Sequence, residues 1–351
     1  MTDNSIPFPG LVALIGSGET SSTGRQVFEI LSQDLPDSFQ ANVLETPAGF
    51  ELNSALVAGR VADFLQLQLQ NRRAKVNIIP ARARGTSASP DDPAIVEPLY
   101  ASCLTFLGPG SPTYAVRQLA GSLAWDVLRA SQRAGAALVF ASAAAVACGK
   151  LAMPVYEIFK VGEDPIWKPG LGLFSPFGLN ISVIPHWNNS EGGQDVDTSH
   201  CFIGQRRFEI LQAQLSPKDT LLGLDEHTAI IFNLAAERCQ VIGRGQIHIL
   251  RDGAETTYSN GSVFGLTDLG EYRLPPDLWQ DIPAEIARRF QLQTSPPAIE
   301  PVPEEVLKLI AARQAARNDR LWAEADRIRQ AIHGLGWTVI DTATGPQVKK
   351  V

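Results

Sequence analysis

Short, largely apolar runs recur along the first 145 residues, and each ends at glycine, proline or serine. Residues 11–15 run into Gly16-Ser17-Gly18, 43–46 stop at Pro47, 76–79 stop at Pro80, 103–107 enter Gly108-Pro109-Gly110, and 136–140 enter Ala141-Ser142. Between them, stretches such as 53–70 and 112–120 have helical periodicity. Strands apolar throughout, each followed by a turn and a helix, predict a mostly parallel sheet covered on both faces. The fold class is therefore a doubly wound α/β domain, with ligands expected beyond the carboxyl ends of its strands. From 181 to 266 strand patterns dominate, at 181–185, 221–224, 229–234, 240–242 and 246–250. Paired prolines at 275–276, 296–297 and 301/303 cannot extend a core element, so 275–302 is expected to be a linker between a domain over 1–274 and a helical module over 303–351.

Composition narrows the class. A 351-residue chain with 44% hydrophobic positions can bury a full core. Its net charge of -7 gives no general attraction to nucleic acid or an anionic membrane. Residues 1–7 lack the basic and apolar regions of a signal peptide, and the Ala- and Gly-rich run 134–149 is too short and too weakly hydrophobic to span a bilayer. The cysteines at 103, 148, 201 and 239 are scattered, so a cytoplasmic protein with reduced thiols, and no membrane association, is expected.

The candidate chemistry gathers at a sharp turn. A strand over 136–140, then Ser142, then the small-residue run Ala143-Ala144-Ala145 has the layout of a nucleophile elbow, in which tiny neighbours let the helix pack against the sheet. The glycines at 108 and 110 follow the preceding strand, where a backbone amide could close an oxyanion hole. His186 stands just past an apolar strand and Pro185, and Asp225-Glu226 lies between two strands. Serine, histidine and acid at strand ends are the parts of nucleophilic acyl transfer. His200 is a rival base and Asp225 a rival acid. His227 and His248, among strand residues, are expected to be structural. No zinc-type spacing occurs, and Gly16-Ser17-Gly18-Glu19-Thr20 lacks the remainder of either nucleotide-binding signature, so neither metal nor cofactor is expected.

Taken in order, Gly108–Gly110, Ser142, His186-Trp187 and the Asp225 to Ala229 segment resemble the cyanophycinase and dipeptidase E family of serine peptidases, which share the class I glutamine amidotransferase-like fold. The resemblance covers about residues 8–270. It implies Ser142 as nucleophile, His186 as base and Glu226 as the group orienting it, with the amides of Gly110 and Ala143 holding an oxyanion. Asp197-Thr198-Ser199-His200-Cys201-Phe202, followed by Arg206 and Arg207, resembles another family segment, and the two arginines would receive a substrate carboxylate. The elbow departs from the family's glycines at Phe140 and Ala144. Phe140 is the larger change, because its ring could fill the space where a substrate would lie.

The C-terminal stretch has apolar positions Val306, Leu309 and Ile310, then Trp322, Ala325, Ile328 and Ile332, at helical spacing around a break near 317–319. With Arg313, Ala316-Arg317, Asp319, Ala325-Asp326, Ile328-Arg329, Gly336 and Asp341-Thr342 it resembles the C-terminal module of cysteinyl-tRNA synthetases, which implies contact with tRNA through 303–351. Residues 302–351 hold eight Lys or Arg against six Asp or Glu, so such contact would be weak and salt-sensitive. A hairpin that covers the main domain or makes a homodimer is the alternative. The whole chain thus reads as a serine-type hydrolase of peptides or amides. Its rival is a catalytically silent amidotransferase-like protein that binds tRNA or a protein partner. An ammonia-passing subunit is disfavoured, since glutaminases of this fold use a thiolate.

Overall fold

The computed structural model describes residues 8–294, 302–342 and 345–350, and the chain divides into two compact units, 1–294 and 295–351. The first unit opens with β1 (Val12–Ile15), α1 (Ser22–Leu31), β2 (Gln40–Leu44), α2 (Ser54–Gln68), β3 (Lys75–Ile79), α3 (Pro93–Val96) and β4 (Ser102–Leu107). It continues through α4 (Pro112–Leu119), α5 (Leu123–Arg133), β5 (Ala137–Ala141), α6 (Ala143–Ala147) and a short pair, β6 (Leu151–Ala152) and β7 (Lys168–Pro169). Then come β8 (Ile181–Ile184), α7 (Gln205–Gln212), β9 (Thr220–Leu224), β10 (Thr228–Asn233), β11 (Arg238–Gly243), β12 (Gln246–Arg251), β13 (Ala254–Ser259), β14 (Val263–Gly265) and α8 (Ala284–Thr294).

An eight-stranded sheet runs β14-β11-β10-β1-β5-β4-β2-β3. Its β1, β5, β4, β2 and β3 pair in parallel, while β10, β11 and β14 extend the edge in antiparallel. The doubly wound α/β class read from the apolar runs is the observed one. β1 and β5 are buried at every position, as strands covered on both faces must be. Val12, Leu14, Leu138 and Phe140 enter one core with Trp125 and Leu128 of α5; Ala13, Ile15, Val139 and Ala141 enter the other with Val27, Phe28 and Leu65 of α1 and α2. A second sheet, β13-β12-β9-β8, stands beside the first.

Helix starts follow local chemistry. Ser21, Ser111 and Ser122 each accept a bond from an amide of the following first turn, and Pro112 occupies a position where no N–H is needed.

The expected linker is shorter than 275–302. Leu278, Ile282, Ile286, Ala287 and Phe290 are buried in the main core, and Asp281 pairs with Arg129 of α5 at 2.8 Å. The prolines at 275 and 276 lie in an irregular stretch between β14 and α8 without releasing the chain; the periodic apolar positions after them carry α8 back onto α5. Residues 295–301 lie outside the described ones.

The second unit contains α9 (Glu304–Asn318), α10 (Trp322–Gly334), β15 (Trp337–Thr342) and β16 (Gly345–Lys350), the two strands forming an antiparallel hairpin. Val306, Ile332, Trp337 and Val339 make its core. Trp322 departs from the expected apolar stripe and is 57% exposed. Among the described residues no helix is long and apolar enough to cross a membrane.

Candidate active site

The register of the main sheet explains the juxtaposition. Ile15, at the carboxyl end of β1, pairs with Ala141 on one side and Ala229 on the other. Because β10 runs antiparallel, its first residues stand at the same edge as the last residues of β5. The turn joining β9 to β10 therefore carries Asp225 and Glu226 to the rim where Ser142 emerges. In the second sheet β8 runs parallel to β9, with Ile184 opposite Gly223, so His186 arrives at that rim as well.

Ser142 sits between β5 and α6 at φ 52° and ψ -116°, a conformation that an L-residue holds only against strain. Its N–H donates to the Ile15 carbonyl at 3.0 Å and its carbonyl accepts from the Val146 N–H at 3.2 Å, so the turn is anchored on both sides. The Ser142 hydroxyl lies 2.9 Å from His186 Nε2, and His186 Nδ1 lies 3.1 Å from Glu226 Oε1. Asn189 donates to the same Oε1 at 2.9 Å, and Asn188 Oδ1 accepts the Glu226 N–H at 2.8 Å. Burial pushes the Glu226 carboxyl upward, but the hydrogen bonds from Asn189 and His186 outweigh it and hold the group below its ordinary value. Asn188 and Asn189 were not singled out in the sequence. Their adjacency to His186-Trp187 was the available signal, and nothing in it pointed at an acid 37 residues later.

A cavity of about 320 Å³ opens over this array, lined by Gly110, Ser142, Ala143 and His186 together with Tyr156, Phe159, Lys160, Cys201 and Phe202. Among the described residues, Lys160 is the one lysine or arginine lining it. Gly110 holds φ 145°, and a Cβ there would fall 1.9 Å from the Pro47 carbonyl oxygen, so only glycine fits. The amide of Ala143, first in α6, has no intrahelical acceptor. Burial lifts the Cys201 thiol to about 12, which keeps it protonated beside the serine.

Phe140 does not enter the cavity. Strand alternation turns its ring into the core, where it is 1% exposed and packs edge-on to Trp125 at 6.3 Å between centroids.

The rival residues have other partners. His200 stacks on Phe208 at 4.1 Å, meets Trp187 edge-on and bonds the Ser199 hydroxyl through Nδ1 at 2.9 Å. Burial pushes its pKa down to about 4. It lines a separate cavity with Trp187 and Phe208, not the one above Ser142. Its backbone begins three consecutive left-handed residues, His200, Cys201 and Phe202, and the N–H groups of His200 and Cys201 donate to the carbonyls of Trp187 and His186. Asp225 accepts from the Gln246 N–H at 2.9 Å and faces His248 at 3.3 Å. Arg206 and Arg207 lie exposed on α7, Arg207 donates to the Ile203 carbonyl, and neither lines the cavity. Their periodicity marks them as the solvent side of α7, because Phe208 and Leu211 take its buried side. No cluster of three or more His, Cys, Asp or Glu placed to hold a metal ion occurs among the described residues.

The comparisons with known proteins cover different shares of the chain. The main unit has the fold of a peptidase from an acI-B1 Actinobacterium, with a TM-score of 0.57 at 21% identity over 74% of this chain and 98% of that one. Residues 300–348 match the family described as the cysteinyl-tRNA ligase anticodon binding domain. A stretch of 54 residues is 39% identical to the cysteine–tRNA ligase of Chlamydia felis, or 15% of this chain and 11% of the ligase. A stretch of 50 residues is 48% identical to that of Chlamydia trachomatis, or 14% of this chain and 10% of the ligase. The chain thus spans about a tenth of the length of these curated relatives, and it joins a peptidase-like fold to a segment similar to their anticodon binding domain.

Proposed function

We propose that the chain is a serine-type hydrolase of peptides or related amides. One observation carries the reading: the hydrogen-bonded series Ser142 Oγ, His186 Nε2, His186 Nδ1, Glu226 Oε1 ends beneath an open cavity. With its proton on Nδ1 and directed at Glu226, His186 keeps Nε2 as an acceptor facing the hydroxyl. As Oγ attacks the scissile carbonyl, its proton passes to Nε2, and Glu226 stabilises the imidazolium. The amides of Gly110 and Ala143 receive the oxyanion. His186 then gives the proton to the leaving amine, and water, activated by the same ring, cleaves the acyl-enzyme. In this reading the two units act as separate domains, hydrolase and appendage. Fluorophosphonate labelling tests the proposal. Wild-type protein is expected to label and Ser142→Ala not to; equal failure of both, beside a reactive control hydrolase, overturns it.

A second reading concerns the appendage. Trp322 is exposed at the turn between its helices, with Arg317 5.9 Å from the ring centroid, an arrangement suited to stacking an unpaired base. We propose weak tRNA contact there. Full-length chain is expected to bind a tRNA transcript at low salt more tightly than a chain ending at Thr294; equal binding overturns this reading.

A further inference from the structure

His186 and Glu226 each have a neighbour in sequence that packs against one further side chain. Trp187 covers Gly223, where a Cβ would fall 2.4 Å from the indole, and its ring stacks on His248 with centroids 5.0 Å apart at 22°. Asp225, next to Glu226, directs Oδ1 at His248 Nε2 across 3.3 Å. The second ring nitrogen of His248, Nδ1, meets Glu255 Oε1 at 2.8 Å.

An imidazole between two carboxylates can donate to both only when it carries both protons. The neutral ring has one N–H, and the shorter contact with Glu255 would take it, leaving Asp225 without its partner. Asp225 also accepts the Gln246 N–H and presses against Gly245, so this carboxylate ties the β9–β10 turn to β12. Glu226 is the next residue of that turn.

We propose that His248 is a positioning residue, which by gripping Asp225 and bracing Trp187 holds Glu226 and His186 in register with Ser142. The inference rests on the hydrolase reading above. Three titratable groups face the ring: Asp225 on the β9–β10 turn, Glu255 on β13, and His200 on the segment before α7. Burial lowers the proton affinity of His248, but its bonds to the two carboxylates outweigh burial, and its pKa lies above the ordinary imidazole value. The array is thus held below that pKa and loosens as the ring deprotonates at higher pH.

The test is the pH profile of fluorophosphonate labelling at Ser142 in the full-length protein. Wild type is expected to lose rate on the alkaline side as His248 gives up its proton. Glu255→Gln, a change at a half-exposed edge-strand position, removes one anion and is expected to move that loss about one pH unit lower. His248→Gln, whose two N–H donors share one nitrogen and so cannot reproduce the two separate ring donors, and which does not titrate, is expected to abolish the alkaline loss and to lower the plateau roughly tenfold. Thermal melting checks that each variant is folded. Labelling of wild type with the same alkaline limb in both variants overturns the inference and leaves the hydrolase reading standing. Absence of labelling in wild type at every pH overturns both.

Discussion

Ser142 and His186 both hold left-handed backbone conformations, φ 52° and 49°, and their side chains meet at 2.9 Å. Neither is glycine, so each pays conformational strain of order 1–3 kcal/mol for its position. The surrounding hydrogen bonds over-determine both: Ser142 through Ile15 and Val146, His186 through the Cys201 N–H.

Replacing Glu226 with glutamine keeps the shape and removes the charge. The amide would set an NH2 group against either Asn189 or the His186 Nδ1 proton, and would no longer stabilise an imidazolium. The labelling rate at Ser142 is expected to fall by about 10³ to 10⁴, as for loss of the acid in other such arrays. A loss smaller than tenfold would remove Glu226 from the proposed mechanism.

Asn189→Ala removes a donor that favours the ionised Glu226. With that bond gone, burial weighs more heavily and the carboxyl is expected to protonate at higher pH. The acid limb of the labelling profile should therefore move upward by roughly half a unit to one unit, while the rate on the plateau changes little. A limb that stays in place would show that Asn189 does not govern this ionisation.

His200 supplies a signed pH effect on stability. Its folded pKa of about 4 lies below the ordinary 6.5, so the unfolded chain takes up a proton that the folded chain refuses. Stability is expected to fall as pH drops from about 6.5 toward about 4. His200→Phe should flatten the urea midpoint across that window and leave labelling intact. Abolished labelling in a folded His200→Phe variant would instead favour His200 as the base.

Phe140→Ala and Gly110→Ala should separate stability from reactivity. Truncating the buried Phe140 ring is expected to cost about 3–5 kcal/mol in urea unfolding while the folded fraction labels normally. Adding a methyl at Gly110 forces the turn away from Pro47, displacing the amide proposed for the oxyanion, and should slow labelling roughly a hundredfold.

Much of this arrangement was legible because apolar runs ending at turns are a strong signal. The runs at 11–15, 103–107 and 136–140 became β1, β4 and β5, and His186 followed β8 as its Pro185 suggested. Edge elements were not legible. β13, Ala-Glu-Thr-Thr-Tyr-Ser, has no buried residue and so carries no alternation to read. Trp322 misled because its spacing fits an apolar stripe, although the ring at a helix start faces outward. The sequence neighbours of Arg206 and Arg207 imply a carboxylate role by resemblance, whereas only the turn of α7 decides where they face. Lys160 had no motif around it at all, and it reaches the cavity from a short π-helical segment over Glu157–Val161.

The inward-turned ring at position 140 also bears on how relatives of such a chain are sought. Two places before the serine, the side chain points under the strand into space already shared with Leu14, Leu107 and Trp125. Shape there is dictated by the helix beneath, and in this chain the space is filled by the ring. A text pattern that insists on glycine at this place would discard this chain, whereas a criterion written on the backbone angles of residue 142 would retain it.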